Sequence, residues 1–132
     1  MPEILTSKVL ILEPDYLLSK IYLDFFSNEE FDIEIANNAQ KAINIVDRII
    51  PDLIVVEIQL TDHSGVEFLY ELRSYKDLQQ VPVIIYSVIP ACEFKDSMEI
   101  FLRDLNVSLY LEKETNTLQD LADELNKFLR IT

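Results

Sequence analysis

A chain of 132 residues, 49% of them apolar, suits a single domain spanning 1–132 with its packed part over 8–130. Its 24 acidic residues against 11 basic ones give a formal net charge of −13; such a surface repels nucleic-acid backbones and anionic lipid, so neither nucleic acid nor membrane is expected as a partner. One cysteine, Cys92, rules out an internal disulfide and fits a reducing cytoplasm, residues 1–7 carry no targeting pattern, and no apolar run reaches the ~20 residues of a membrane helix.

Taken in chain order, short apolar runs alternate with stretches of helical spacing. Residues 8–13 (KVLILE) are nearly all apolar and predict a buried strand. Leu18, Ile21, Tyr22, Phe25 and Phe26 then form a helical stripe. Residues 31–36 (FDIEIA) alternate, which predicts a strand near a sheet edge. A second stripe, Ala39, Ala42, Ile43 and Val46, follows Asn37 and Gln40, which resemble a capping box. Residues 53–57 (LIVVE) predict another buried strand, and Ser64 with Glu67 caps a third stripe opened by Val66, Leu69 and Tyr70. Residues 82–87 (PVIIYS) predict the fourth strand, with Pro82 at its start, where a missing N–H does little harm. Phe94, Met98, Phe101, Leu102 and Leu105 mark a fourth helix, and Asn106 supplies its left-handed stop. A short fifth strand at 108–111 (SLYL) precedes the last stripe, Leu118, Leu121, Ala122, Leu125, Phe128 and Leu129. Gly65 is the only glycine, so helix ends and turns must rely on Asn, Asp and Ser.

Five strands alternating with five helices imply an α/β domain, a doubly wound parallel sheet covered on both faces. Right-handed crossovers favour the flavodoxin-like strand order 2-1-3-4-5. Ligands of such sheets bind outside the carboxyl ends of the strands, where the order reverses between the first and third. That rule gathers Glu13, Asp15, Glu57, Ser87 and Lys113 at one rim, an arrangement suited to an anion or a metal ion. Plainer readings stand beside it. Glu13 and Glu57 can be carboxylates at a solvated sheet end, Asp15 an N-cap, Ser87 a strand end and Lys113 a surface lysine. Asp62 and His63 read as a solvated loop, since a lone histidine is a poor metal signal, and Cys92 as a small, partly buried residue.

From about residue 8 to residue 130 the sequence resembles the receiver domain of bacterial response regulators. Val9-Leu10-Ile11-Leu12-Glu13-Pro14-Asp15 is similar to that family's first strand with its acidic pair. Pro51-Asp52-Leu53-Ile54-Val55-Val56-Glu57 is similar to the segment that ends in the phosphoacceptor aspartate, and Ser64-Gly65 keeps the glycine beyond it. Val81-Pro82-Val83-Ile84-Ile85-Tyr86-Ser87 resembles the fourth strand with its hydroxyl residue. Tyr110-Leu111-Glu112-Lys113 resembles the switch aromatic followed by the family's lysine. The resemblance implies that the aromatic swings inward on activation.

The departures fall on the chemistry. Glu57 stands for the phosphoacceptor aspartate, Pro14 for the second acid of the pair, and Thr61 for a proline after the acceptor. Val88 replaces a small residue, and Glu114 replaces the proline after the lysine. In the family, the aspartate attacks a phosphohistidine donor while magnesium neutralises the transferring oxygens. Magnesium demands octahedral oxygen ligands at ~2.0–2.1 Å, and Pro14 has none to give. Glu57 is one methylene longer than aspartate, and a misplacement of ~1 Å can cost about a hundredfold in rate. Phosphotransfer is therefore expected to be very slow or absent and no cofactor is expected, magnesium entering only if Asp15 compensates for Pro14. Glu57, Lys113 and Ser87 are expected to hold one another in a fixed conformation, active-like or inactive-like.

Three functions follow. The first is a degenerate, pseudo-receiver adaptor, not an enzyme, that works by protein–protein contact through the face of the fourth helix, fifth strand and fifth helix. Exposed apolar residues there, such as Ile89 or Ile100, suit a partner or a homodimer, and the acidic surface suits a basic partner. The second is a working response regulator that takes a phosphoryl group from a histidine kinase with Mg2+. The third, an unrelated flavodoxin-like binder such as a flavin protein, is disfavoured by the lack of a glycine-rich or Ser/Thr-rich phosphate loop. Whether an output domain belongs after Thr132 stays open.

Overall fold

A computed structural model describes residues 6–27, 29, 31–61 and 64–129; Asp62 and His63, read above as a solvated loop, lie outside this set. The elements are β1 (Ser7–Leu12), α1 (Tyr16–Phe26), β2 (Phe31–Ala36), α2 (Ala39–Arg48), β3 (Leu53–Val56), α3 (Gly65–Ser74), β4 (Val83–Ser87), α4 (Met98–Arg103), β5 (Val107–Glu112) and α5 (Leu118–Leu129). All strand pairs are parallel, in the order β2-β1-β3-β4-β5. The alternating β2 is an edge strand, as its pattern predicts, and the apolar β1, β3 and β4 occupy the middle.

Strand alternation deals the core to two faces. Leu10, Leu12, Ile54, Val56, Val83 and Ile85 pack beneath α2, α3 and α4. Val9, Ile11, Leu53, Val55, Ile84 and Tyr86 pack beneath α1 and α5. Helix starts are set by side chains. Asp15 accepts from Leu18 N at 3.0 Å, and Ser64 accepts from Val66 N at 3.1 Å. Thr117 and Asp120 exchange backbone-to-side-chain bonds at 2.8 and 3.1 Å, a reciprocal box with aspartate in the glutamate role. Asn106 takes the left-handed conformation expected of it, with φ 50°. At the same corner the buried Arg73 donates to the carbonyls of Leu78, Leu105 and Asn106, and burial lowers its pKa.

Several expectations need correction. The cap of α2 is Asn38, which accepts from Lys41 N at 2.9 Å, whereas Asn37 turns to the Glu13 carbonyl at 2.8 Å. Ile21, Tyr70, Leu102 and Phe128 face solvent. Their places on the buried faces go in part to Ser19 on α1 and to Phe68 and Leu72 on α3. Ser19 is buried because its hydroxyl donates to the Asp15 carbonyl at 2.8 Å and accepts from Asn37 at 3.0 Å. The fourth helix is shorter than its stripe: Ala91–Ser97 is a 3-10 segment interrupted at Phe94 (φ −109°, ψ 19°). Cys92 is exposed, and Ile89 is half-buried against the core.

Candidate functional site

Four strand ends build the site. Glu13 N still donates to the Ala36 carbonyl at 2.9 Å, and Pro14, which has no N–H, closes β1 behind it. Glu57 N donates to Leu12 O at 2.9 Å, so the carboxylates of Glu13 and Glu57 arrive side by side. Ser87 ends β4, and Lys113 N donates to its carbonyl at 2.8 Å, which hangs the lysine beside both acids. Glu13, Glu57 and Ser87 are 2%, 3% and 0% exposed, so the cluster is part of the interior.

Its hydrogen bonds are closed on themselves. The Lys113 ammonium lies 2.5 Å from Glu13 Oε1 and 2.8 Å from Glu57 Oε1. Glu57 Oε1 also accepts from Val88 N at 3.0 Å, while its Oε2 accepts from Gln59 N at 2.9 Å and from the Ser87 hydroxyl. Ser87 Oγ in turn accepts from Ile89 N at 3.0 Å. Glu13 Oε1 accepts from the Tyr22 hydroxyl at 2.9 Å, and its Oε2 accepts from Asp15 N at 3.2 Å. Every carboxylate oxygen in the cluster therefore has a donor, as buried charges require. The ammonium also sits 5.7 Å above the Tyr86 ring, whose hydroxyl reaches Asn116 O at 2.8 Å.

Five of the six site residues named from sequence are tied into this neighbourhood. Glu13, Glu57, Ser87 and Lys113 form the cluster, and Tyr110 stands beside it on β5. The Tyr110 hydroxyl donates to the Ile89 carbonyl at 2.7 Å, and its ring lies 6.1 Å from that of Phe94. Burial pushes its pKa up to about 12. Asp15 is different: its side chain is exposed and caps α1, and only its N–H reaches the cluster.

Tyr22 is the residue that the sequence reading missed as a site member, having placed it among apolar stripe positions. Burial, then the Glu13 charge, raises its pKa and keeps the phenol a donor. The signal available was its hydroxyl, since a buried tyrosine needs a partner for that group. A cleft of about 290 Å³ opens above the cluster, its lining including Pro14, Asp15, Gln59, Thr61 and Val88 as well as the two acids and the lysine. Among the described residues no helix is long and apolar enough to cross a membrane.

The profile of the response regulator receiver domain family matches residues 9–126. The response regulator protein VraR of Staphylococcus aureus is 28% identical over 130 residues, which cover 96% of this chain and 58% of that protein. The probable transcriptional regulator ycf29 of Pyropia yezoensis is 34% identical over 77 residues, 58% of this chain and 35% of that one. The chain thus spans less than two thirds of the length of these relatives. Among solved structures, the chemotaxis response regulator CheY4 of Vibrio cholerae superposes with a TM-score of 0.81 at 16% identity, covering 95% of this chain and all of that one (100%). The non-phosphorylated HemR receiver domain of Leptospira biflexa gives 0.79 at 17% identity, covering 96% of both. At such identities these likenesses speak to the fold.

Proposed function

This chain belongs to the response regulator receiver domain family, and from that premise we propose that it is a pseudo-receiver whose signalling state is set by its own side chains and that acts by binding protein partners in the cytoplasm. One observation carries the reading: the glutamate at the acceptor position, Glu57, is held at both oxygens by Lys113, Ser87, Val88 N and Gln59 N. A nucleophile for phosphorus needs a free lone pair and an in-line approach. Glu57 has its oxygens committed to four donors, and its longer side chain displaces them from an aspartate's place.

The same contacts favour the active-like state. Ser87 is drawn to Glu57, Ile89 N follows to Ser87 Oγ, and Tyr110 is turned inward onto the Ile89 carbonyl. That is the direction in which the resemblance implies that the aromatic moves on activation. The partner surface in this reading is the α4–β5–α5 face. There Ile100, Leu102 and Phe128 are exposed among acidic neighbours such as Glu99, Asp104 and Glu114, which suits a partner with a basic patch or, for the apolar residues, a second copy.

Amide NMR spectra of the labelled chain, alone and with magnesium plus beryllofluoride as a phosphoryl mimic, test this. The expected result is no shift at Glu13, Glu57, Ser87 and Lys113. Saturable shifts there that spread to Tyr110 and α4 would mean a working phosphoacceptor and end the proposal.

A further inference from the structure

We propose that Lys113 is the resident cation of this pocket, standing between Glu13 and Glu57 and, together with Pro14, keeping divalent metal out. This rests on the reading of a self-set receiver and names how the setting is done. Family membership implies magnesium at this rim, and the residues present do not fit it. Magnesium needs near-octahedral oxygen ligands and keeps them close, at ~2.0–2.1 Å. Pro14 offers no side-chain oxygen. The Asp15 carboxylate is used at Oδ1 to cap α1. Among the described residues, no three acidic, histidine or cysteine side chains converge with metal-holding geometry.

The two remaining carboxylates are occupied by the chain itself. One ammonium lies 2.5 Å from Glu13 and 2.8 Å from Glu57, and its side chain is 12% exposed. Of the oxygens it bridges, Glu13 Oε1 also takes the Tyr22 hydroxyl and Glu57 Oε1 also takes Val88 N. A metal would have to displace the ammonium and compete with both of these donors. Tyr22 acts as a positioning residue: it fixes Glu13 on the lysine side of the pocket from helix α1. Charge balance also favours the lysine. Two buried carboxylates need a compensating cation, and the chain supplies one that cannot dissociate.

The test is a titration with Mn2+ alone, followed by paramagnetic broadening of amide signals and by calorimetry, on the wild type, Lys113→Gln, Lys113→Ala and Lys113→Arg. The wild type and Lys113→Arg are expected to show no saturable broadening at Glu13, Glu57 and Gln59 up to about 10 mM, a range in which a weak magnesium-type site would fill. Lys113→Gln or Lys113→Ala is expected to gain Mn2+ affinity by about tenfold or more, because the buried negative charge is left without its counter-ion. Saturable binding to the wild type overturns the inference, as does a folded Lys113→Gln or Lys113→Ala chain that ignores the ion. If neither variant folds, the wild-type titration decides alone. Metal binding without any response to beryllofluoride would overturn this inference and leave the self-set receiver standing; a response to the phosphoryl mimic without metal binding would do the reverse.

Discussion

Replacing Glu57 with glutamine keeps the shape of the side chain and removes its charge, so it tests whether the four donors around that carboxylate hold the site together. An amide has one acceptor where the carboxylate has two. If the new NH2 takes the place of Oε1, it faces Lys113 and Val88 N, which can only donate. If it takes the place of Oε2, it faces Gln59 N, while Ser87 can rotate its hydroxyl. The second orientation costs less and still strands one backbone N–H, at about 1–3 kcal/mol. The bond from Val88 N also falls from charge-assisted to neutral, and that from Lys113 keeps only the ammonium's charge, at about 1 kcal/mol together. Lys113 keeps Glu13, so the ~3–5 kcal/mol penalty of a stranded buried charge does not arise, and the loss of one buried carboxylate offsets part of the rest. The net expectation is a destabilisation of about 1–3 kcal/mol. At ~2.1 cal/mol/K for each residue, a chain of 132 residues unfolds with an entropy near 0.28 kcal/mol/K, so the melting temperature falls by ~4–11 °C. Thermal and urea unfolding followed by circular dichroism measure this, with Glu114→Gln, an exposed neighbour, as the control expected to stay within ~0.5 kcal/mol. A Glu57→Gln chain as stable as that control would refute the argument that these donors fix the acceptor position.

Two further outcomes follow from other contacts. A Cβ on Gly65 would lie 2.5 Å from Ile58 Cα and 2.8 Å from its carbonyl oxygen, both backbone atoms with little freedom to move; Gly65→Ala is therefore expected to cost about 2–3 kcal/mol, read from urea midpoints at unchanged slope. Tyr110 bears on stability at high pH. Burial raises its folded pKa to about 12, so the fold favours the neutral phenol. Its contribution is complete below the unfolded value of ~10 and is lost as pH climbs through about 12. The wild type should lose more stability than Tyr110→Phe over that interval, and equal losses would contradict the assignment.

Much of this domain is legible in the sequence because its middle strands are buried on both faces and read as unbroken apolar runs. The edge strand betrays itself by alternation. Helix α2 is legible too, since the four apolar residues of its stripe are all buried, Ile45 is partly buried beside them, and the rest are polar. Helix α1 is not: with Leu17, Leu18, Ile21, Leu23 and Phe25 around most of its circumference, hydropathy cannot tell which side faces the sheet, and the buried Ser19 is settled by its bonds to the Asp15 carbonyl one turn back and from the Asn37 side chain just past the end of β2. The site shows the same division. Glu13, Glu57, Ser87 and Lys113 are found by the rule that places chemistry at strand ends. Tyr22 reaches the site from a helix and looks like core from its spacing. Asn37 and Asn38 are chemically equal candidates for the cap of α2, and only the tertiary demand of the Glu13 carbonyl separates them.

The stretch between β4 and β5 has an uneven hold on the rest of the molecule. The 3-10 segment Ala91–Ser97 contains no fully buried residue, and α4 behind it is six residues long. Backbone hydrogen bonds with so little burial above them open at low free energy. Yet both flanks are fastened from outside, by the Tyr110 hydroxyl at Ile89 and by the Arg73 guanidinium at Leu105 and Asn106. Phe101, 1% exposed, pins α4 to the core, so it is the amide hydrogens of Ala91–Ser97 that can exchange with solvent quickly while those of the two strands on either side stay protected. Melting is confined to a slack length of chain between two fixed points, so a partner that grips it gains order there at a local entropy cost and leaves the sheet untouched.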